Sequence, residues 1–117
     1  MRLIVVIEDD EGLRNALCRV LRNSGYAVRA FDSAESLFSD GEPDDAAFMV
    51  IDLNLPGASG VNLYASLHDP RPPAVFITSQ DSKKFHLTQH PIVQGRVLIK
   101  PFHGTDLLKE IARVIGQ

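Results

Sequence analysis

Five polar residues stand directly after, or at the end of, short apolar segments of the sequence, and their types suit phosphoryl chemistry. Glu8 and Asp9 follow one such segment, Asp52 follows a second, Thr78 ends a third and Lys100 follows a fourth. Two carboxylates about 5 Å apart repel each other by roughly 3 kcal/mol at an effective dielectric constant of about 20. Three acids brought together therefore require a divalent cation, and ligation by oxygen alone suits magnesium rather than zinc.

The predicted cation site uses four residues. We expect Asp9 and Asp52 to bind Mg²⁺ directly, Asn54 to contribute its backbone carbonyl, and Glu8 to act mainly through a bound water. The four histidines are scattered, and no cluster of His or Cys competes for a metal.

The remaining residues predict how a phosphoryl group would be handled. One free oxygen of Asp52 is placed to attack phosphorus in line, while Lys100 supplies a positive charge and Thr78 a hydroxyl donor. Taken singly, each residue has a plain structural interpretation, such as acids at the start of a helix or a lysine on the surface. The combination at successive strand ends favours the functional interpretation.

The apolar segments are short and continuous, which is typical of strands buried on both faces of a parallel sheet. They are predicted at residues 3–7, 26–31, 47–51, 74–78 and 97–99. Because the carboxyl ends of parallel strands meet at one edge of the sheet, where open α/β sheets bind ligands, the five polar residues are predicted to converge there.

Apolar residues at helical spacing separate these strands. Asp10 is predicted to cap the first helix and Gly25 to end it, and further helices are predicted after residue 33, after residue 60 and across residues 107–115. The alternation predicts a doubly wound α/β fold, with five parallel strands and helices on both faces. In the loop after Asp52, Gly57 and Gly60 are expected to provide backbone freedom.

Composition limits the possible classes of protein. The 117 residues are sufficient for one domain, spanning 1–117, and carry a net charge of −3 with no block of basic residues, which argues against direct nucleic-acid binding. The apolar segments are much shorter than a membrane span. A single cysteine, Cys18, and no signal-peptide pattern predict a reducing, cytoplasmic location.

Four motifs together resemble the receiver domain of two-component response regulators: IEDD, IDLNLPGASG, FITS and IKPF. The resemblance covers essentially the whole chain, and residues 31–37 and 49–60 lean toward the branch that includes nitrogen-fixation regulators. It implies a flavodoxin-like strand order of 2-1-3-4-5 and a cis Lys100–Pro101 peptide. It also implies that Asp52 accepts a phosphoryl group from a histidine kinase or a histidine phosphotransfer protein, and that the domain catalyses its own phosphotransfer and dephosphorylation.

Two regions depart from the family pattern. Val97 stands where the family places an aromatic side chain that pairs with the hydroxyl of Thr78 in signal output. Residues 79–95 lack a clean amphipathic face, and Pro91 interrupts them, so we expect an atypical fourth helix that is short, shifted or mobile, approximately between Ser82 and Gln89.

Three functions follow from these patterns. The first is a phosphorylated signalling switch, which is not a metabolic enzyme. The second is a receiver-like interaction module that binds partners without phosphorylation. For either of these two functions an output domain or a homodimer is expected as a possible partner. The third, a magnesium-dependent phosphohydrolase, ranks last because Asn54 stands where such enzymes carry a second acid. The Asn54 side chain is also predicted to influence hydrolysis of the phosphoryl group.

Overall fold

The computed structural model describes residues 1–116 and contains one five-stranded parallel sheet. Its strands are Leu3–Ile7 (β1), Ala27–Phe31 (β2), Phe48–Asp52 (β3), Ala74–Ser79 (β4) and Val97–Lys100 (β5). They lie in the order β2-β1-β3-β4-β5, and all four pairings are parallel. The predicted fold class and strand order are confirmed.

Among the described residues, three α-helices connect successive strands and a fourth follows the last strand. They are Glu11–Asn23 (α1), Ala34–Ser39 (α2), Gly60–Ser66 (α3) and Gly104–Ile115 (α4). The predicted ends of α1 are confirmed, because the Asp10 side chain accepts a hydrogen bond of 2.7 Å from the Leu13 N–H and Gly25 adopts a φ of 95° just beyond the helix. Within residues 1–116, no helix has the length and apolar character needed to cross a membrane.

Both faces of the sheet are buried. Along β3, Met49 and Ile51 point to a core cluster shared with α2 and α3, whereas Phe48 and Val50 point to a cluster shared with α1 and α4. This two-sided burial explains why the strand has no polar alternation.

The chain between β4 and β5 differs from the other connections. It forms two 3-10 helices, Phe85–Gln89 and Pro91–Val93, which we call the 3-10 segment (residues 85–93). The prediction of a short helix at this position is confirmed, although the helix is 3-10 in type. Pro91 begins the second of the two helices, where its missing N–H removes no internal hydrogen bond.

Candidate functional site

Three acids converge at the carboxyl edge of the sheet. Glu8 and Asp9 follow β1, and Asp52 ends the neighbouring strand β3, with Ile7 in register with Ile51. One carboxylate oxygen from each acid lies within 4.8 Å of the others. The sequence-based prediction that these residues meet is therefore confirmed.

Asp52 is buried among polar groups. Its residue exposure is 1%, its Oδ1 accepts a hydrogen bond of 2.8 Å from the Asn54 N–H, and its Oδ2 accepts one of 3.2 Å from Lys100 Nζ. The predicted placement of Lys100 is confirmed, as is the cis peptide between Lys100 and Pro101. A backbone N–H donor and an ammonium group therefore hold this buried carboxylate in position.

Glu8 is completely buried and only partly satisfied. Its Oε2 accepts a hydrogen bond of 3.1 Å from the Asp10 N–H, while its Oε1 lies 3.6 Å from Lys100 Nζ and has no hydrogen-bond partner. Burial, together with the neighbouring Asp52 carboxylate, raises the pKa of Glu8 to about 8. Burial works against the charged form of Lys100, but the carboxylates of Asp52 and Glu8 outweigh it and raise the pKa of the ammonium group.

These residues fit a hard divalent cation. The donor set contains only carboxylate oxygens, and the Oε1 of Glu8 is a buried acceptor with no hydrogen-bond partner, although the Lys100 ammonium lies 3.6 Å away. Asp9 is exposed, so the cluster can be reached from solvent. Mg²⁺ prefers such ligands and retains several of its own waters, which can satisfy an acceptor of this kind.

Thr78 lies at the same edge of the sheet. The preceding residue, Ile77, is in register with Asp52, and Thr78 itself is fully buried. Its hydroxyl donates a long hydrogen bond of 3.3 Å to the carbonyl of Ser79. The structure thus places this hydroxyl at the predicted edge, with its hydrogen bond made locally.

Gly57 and Gly60, which follow β3, are needed for different structural reasons. Gly57 has a φ of 78°, which confirms that it provides backbone freedom. For Gly60, that prediction was wrong: a Cβ there would lie 2.4 Å from the carbonyl oxygen of Asp52. Gly60 is needed because the start of α3 approaches the end of β3 too closely for any side chain.

Sequence reasoning missed two residues that hold the site. The guanidinium of Arg14 on α1 donates a hydrogen bond of 2.9 Å to the carbonyl of Glu8. The hydroxyl of Ser82 donates one of 2.7 Å to Oδ1 of Asn54, across 28 residues of sequence. Arg14 lies in the first turn of α1, six residues after Glu8, and could have been suggested by its charge, but nothing in the sequence pairs Ser82 with Asn54.

Comparison with known proteins identifies the family. Residues 4–112 match the family described as the response regulator receiver domain, and the chain belongs to that family. It is 29% identical over 117 residues to the response regulator receiver protein CpdR of Brucella abortus, covering 98% of each chain. It is 38% identical over 114 residues to the transcriptional regulatory protein FixJ of Azorhizobium caulinodans, covering 96% of this chain and 54% of FixJ.

A solved structure supports the same conclusion. The non-phosphorylated HemR receiver domain from Leptospira biflexa superimposes with a TM-score of 0.84 at 27% identity, and the match covers 100% of this chain and 96% of that one. The chain spans about half of the length of FixJ (54%), whereas it spans nearly all of CpdR (98%). The protein is thus a receiver domain of the response-regulator class, a class of signalling domains. Its assignment to the nitrogen-fixation branch stays a prediction.

Proposed function

We propose that Asp52 is the phosphoacceptor of this receiver domain and that Mg²⁺ is required for its phosphorylation. The observation that carries the proposal is the position of the Asp52 carboxylate, within 4.8 Å of the acids at 8 and 9 and 3.2 Å from Lys100. The neighbouring acids and the phosphoryl group are all negatively charged. Asp52 can therefore accept the phosphoryl group only when positive charge, from a cation at the acids and from the Lys100 ammonium, balances them. The donor is a phosphohistidine of a histidine kinase or of a histidine phosphotransfer protein.

The transfer exchanges one bond to phosphorus for another. A carboxylate oxygen of Asp52 forms the new P–O bond while the P–N bond to the donor imidazole breaks, and the electron pair of that bond returns to the imidazole nitrogen. The ammonium of Lys100 neutralises charge on the phosphoryl oxygens, and the Thr78 hydroxyl provides a further donor at the same edge. Positioning and charge balance are the main contributions of the chain.

The acidic cluster supports a set of cation ligands. Asp9 and Asp52 would bind the metal directly, the backbone carbonyl of Asn54 would add a neutral oxygen, and Glu8 would act mainly through a bound water. Bound Mg²⁺ supplies positive charge that neutralises the acidic cluster and the incoming phosphoryl group. The unpartnered Oε1 of Glu8 supports this assignment.

Loss of the phosphoryl group returns the switch to its resting state. The Asn54 side chain stands two residues beyond Asp52 and influences the rate of this hydrolysis, which the domain itself promotes. Asn54 cannot protonate a leaving group, so turnover of external phosphomonoesters is not expected. The domain therefore acts as a signalling switch rather than as a metabolic enzyme.

A second candidate is a receiver-like interaction module whose output does not depend on phosphorylation. Two features favour it, namely the aliphatic Val97 on β5 and the 3-10 segment in place of a full helix. In this case a partner would bind the wild-type protein and Asp52→Asn equally. In either case we propose one domain over residues 1–117, a cytoplasmic location, and output through an attached domain or a homodimer rather than through direct binding of nucleic acid or a membrane.

The test is phosphorylation by a small-molecule phosphodonor. Incubation with acetyl phosphate and Mg²⁺ should add one phosphoryl group to the intact protein, as read by mass spectrometry, and EDTA should prevent it. Asp52→Asn should abolish the addition, whereas Asp45→Asn, which changes an exposed acid in the loop before β3, should leave it unchanged. Equal labelling of the wild-type protein and Asp52→Asn would contradict the proposal.

A further inference from the structure

The 3-10 segment is weakly held along most of its length. None of the side chains in Phe85–Gln89 is buried, and Lys84, which precedes this helix, makes no side-chain capping hydrogen bond. At the other end Val93 is 1% exposed and belongs to the core cluster. Leu87 packs half-buried against the same cluster. A 3-10 helix with no fully buried side chain has poor hydrogen-bond geometry and limited packing, so its position depends in part on what holds its first residues.

Ser82 holds that first end. Its hydroxyl accepts a hydrogen bond of 3.1 Å from the Lys84 N–H, and its carbonyl accepts one of 3.1 Å from the Phe85 N–H. The same hydroxyl donates a hydrogen bond of 2.7 Å to Oδ1 of Asn54. Ser82 therefore belongs both to the entrance of the 3-10 segment and to the loop that follows Asp52.

A short relay of hydrogen bonds joins the phosphoacceptor to the segment. The Asn54 N–H donates to Oδ1 of Asp52 at 2.8 Å, the Asn54 side chain accepts from Ser82, and Ser82 accepts from Lys84. Among residues 1–116, the bond from Ser82 to Asn54 is the one side-chain hydrogen bond that links residues 80–96 to the loop at residues 53–59. Any change at the Asp52 carboxylate that moves Asn54 also moves the partner of Ser82.

We propose that the Ser82 hydroxyl couples the phosphorylation state of Asp52 to the position of the 3-10 segment. The proposal rests on phosphorylation of Asp52. Formation of the acyl phosphate changes the charge of the carboxylate and its capacity to accept the Asn54 N–H, so Asn54 adjusts and the bond to Ser82 transmits the adjustment. Ser82 is a positioning residue, and the weakly packed segment is the element whose equilibrium it shifts.

The Thr78 hydroxyl, at the end of β4, is less suited to couple Asp52 to the 3-10 segment. Thr78 is in register with Ile99 on β5, and its hydrogen bond goes to the carbonyl of the next residue. Val97 packs with an aliphatic side chain against the core cluster and has no polar atom that could exchange partners. The Asn54–Ser82 pair, by contrast, already joins the two regions.

The proposal can be tested by amide NMR, with beryllofluoride and Mg²⁺ used as the phosphoryl mimic. In the wild-type protein, signals from residues 52–57 and from the 3-10 segment should both shift when the mimic is added. In Ser82→Ala the signals of residues 52–57 should still shift, while the shifts across the 3-10 segment should be largely lost. Ser82→Thr, which keeps the hydroxyl, should retain the shifts of the 3-10 segment. Asn54→Ala, which removes the acceptor of the same hydrogen bond, should also abolish them.

Thr88→Ala is the matched control. It removes a hydroxyl of the same segment, and that hydroxyl accepts a hydrogen bond of 3.5 Å from the neighbouring Gln89 side chain. It should keep the wild-type response. Unchanged shifts in the segment of Ser82→Ala, or a wild-type segment that fails to respond while residues 52–57 do, would overturn the coupling and leave the phosphoacceptor assignment standing. A wild-type protein in which residues 52–57 do not respond would overturn both.

Discussion

The ammonium nitrogen of Lys100 lies 3.2 Å from Oδ2 of Asp52, although 48 residues separate them in sequence. The same nitrogen lies 3.6 Å from Oε1 of Glu8, so one cation serves two buried carboxylates. This arrangement follows from the parallel sheet, which brings the ends of β1, β3 and β5 to one edge. Glu8, Asp9, Asp52 and Lys100 thus form one cluster rather than separate surface features, and Thr78 lies at the same edge of the sheet.

Removal of the Lys100 ammonium should slow phosphorylation more than it disturbs the fold. In Lys100→Ala the phosphoryl oxygens lose a fixed positive charge, and loss of one such preorganised group typically costs about 100-fold or more in rate. Lys109→Ala, which removes an exposed lysine on α4, is the control and should phosphorylate at the wild-type rate. The rate of labelling by acetyl phosphate measures both, and similar rates for the two variants would contradict the assigned role.

The stability of the metal-free protein should depend on pH through Glu8. The pKa of this carboxyl is raised from its ordinary value of 4.5 to about 8 in the folded protein, so the folded state holds the proton more tightly than the unfolded state. The free energy of unfolding should therefore fall as pH rises from about 5 to about 8. Urea denaturation in EDTA across this range measures it.

Glu8→Gln should flatten that pH dependence, because an amide does not titrate. The same raised pKa implies that Mg²⁺ competes with a proton at Glu8, so the affinity of the wild-type protein for Mg²⁺ should increase over this pH interval. A slope that is the same in Glu8→Gln as in the wild-type protein would show that other groups cause the pH dependence.

Magnesium should stabilise the fold through the acidic cluster. A ligand that binds only the folded state raises the free energy of unfolding, by about 2.7 kcal/mol at a hundred times its dissociation constant. Thermal denaturation with and without Mg²⁺ should show this increase in the wild-type protein and in Asp45→Asn, but little of it in Asp9→Asn. An equal gain in Asp9→Asn would place the metal elsewhere.

A methyl group at position 60 should lower the stability of the fold next to Asp52. Gly60→Ala would place a Cβ 2.4 Å from the carbonyl oxygen of Asp52, and such overpacking typically costs about 1–3 kcal/mol of stability. Gly12→Ala on α1 is the control, since its nearest atom is the Asp10 carboxylate at 3.5 Å and alanine favours helix by up to about 1 kcal/mol. Chemical denaturation should separate the two, and equal stabilities would refute the close approach.

The sequence predicted those features that depend on patterns within single segments. The unbroken apolar character of β3 indicated a strand buried on both faces, and the parallel topology then fixed where Glu8, Asp52 and Lys100 had to lie. Strand order came from the resemblance rather than from the strands themselves, because any of several orders would bury them equally well.

What the sequence could not predict depends on contacts between distant loops. The need for Gly60 arises from the distance between α3 and the end of β3, which no local pattern encodes. The hydrogen bond between Ser82 and Asn54 spans 28 residues and requires both loops to be in place. The 3-10 type of residues 85–89 was not predicted either, since the sequence showed only that a regular amphipathic helix was unsuitable.

The most direct test of the central claim is to locate the phosphoryl group. After incubation with acetyl phosphate and Mg²⁺, borohydride reduction converts an aspartyl phosphate to homoserine, and tandem mass spectrometry of the proteolytic peptides identifies its position. The result expected is a homoserine at Asp52 alone. Modification of a different acid, or none in a protein that retains its fold, would contradict the assignment of Asp52 as the phosphoacceptor.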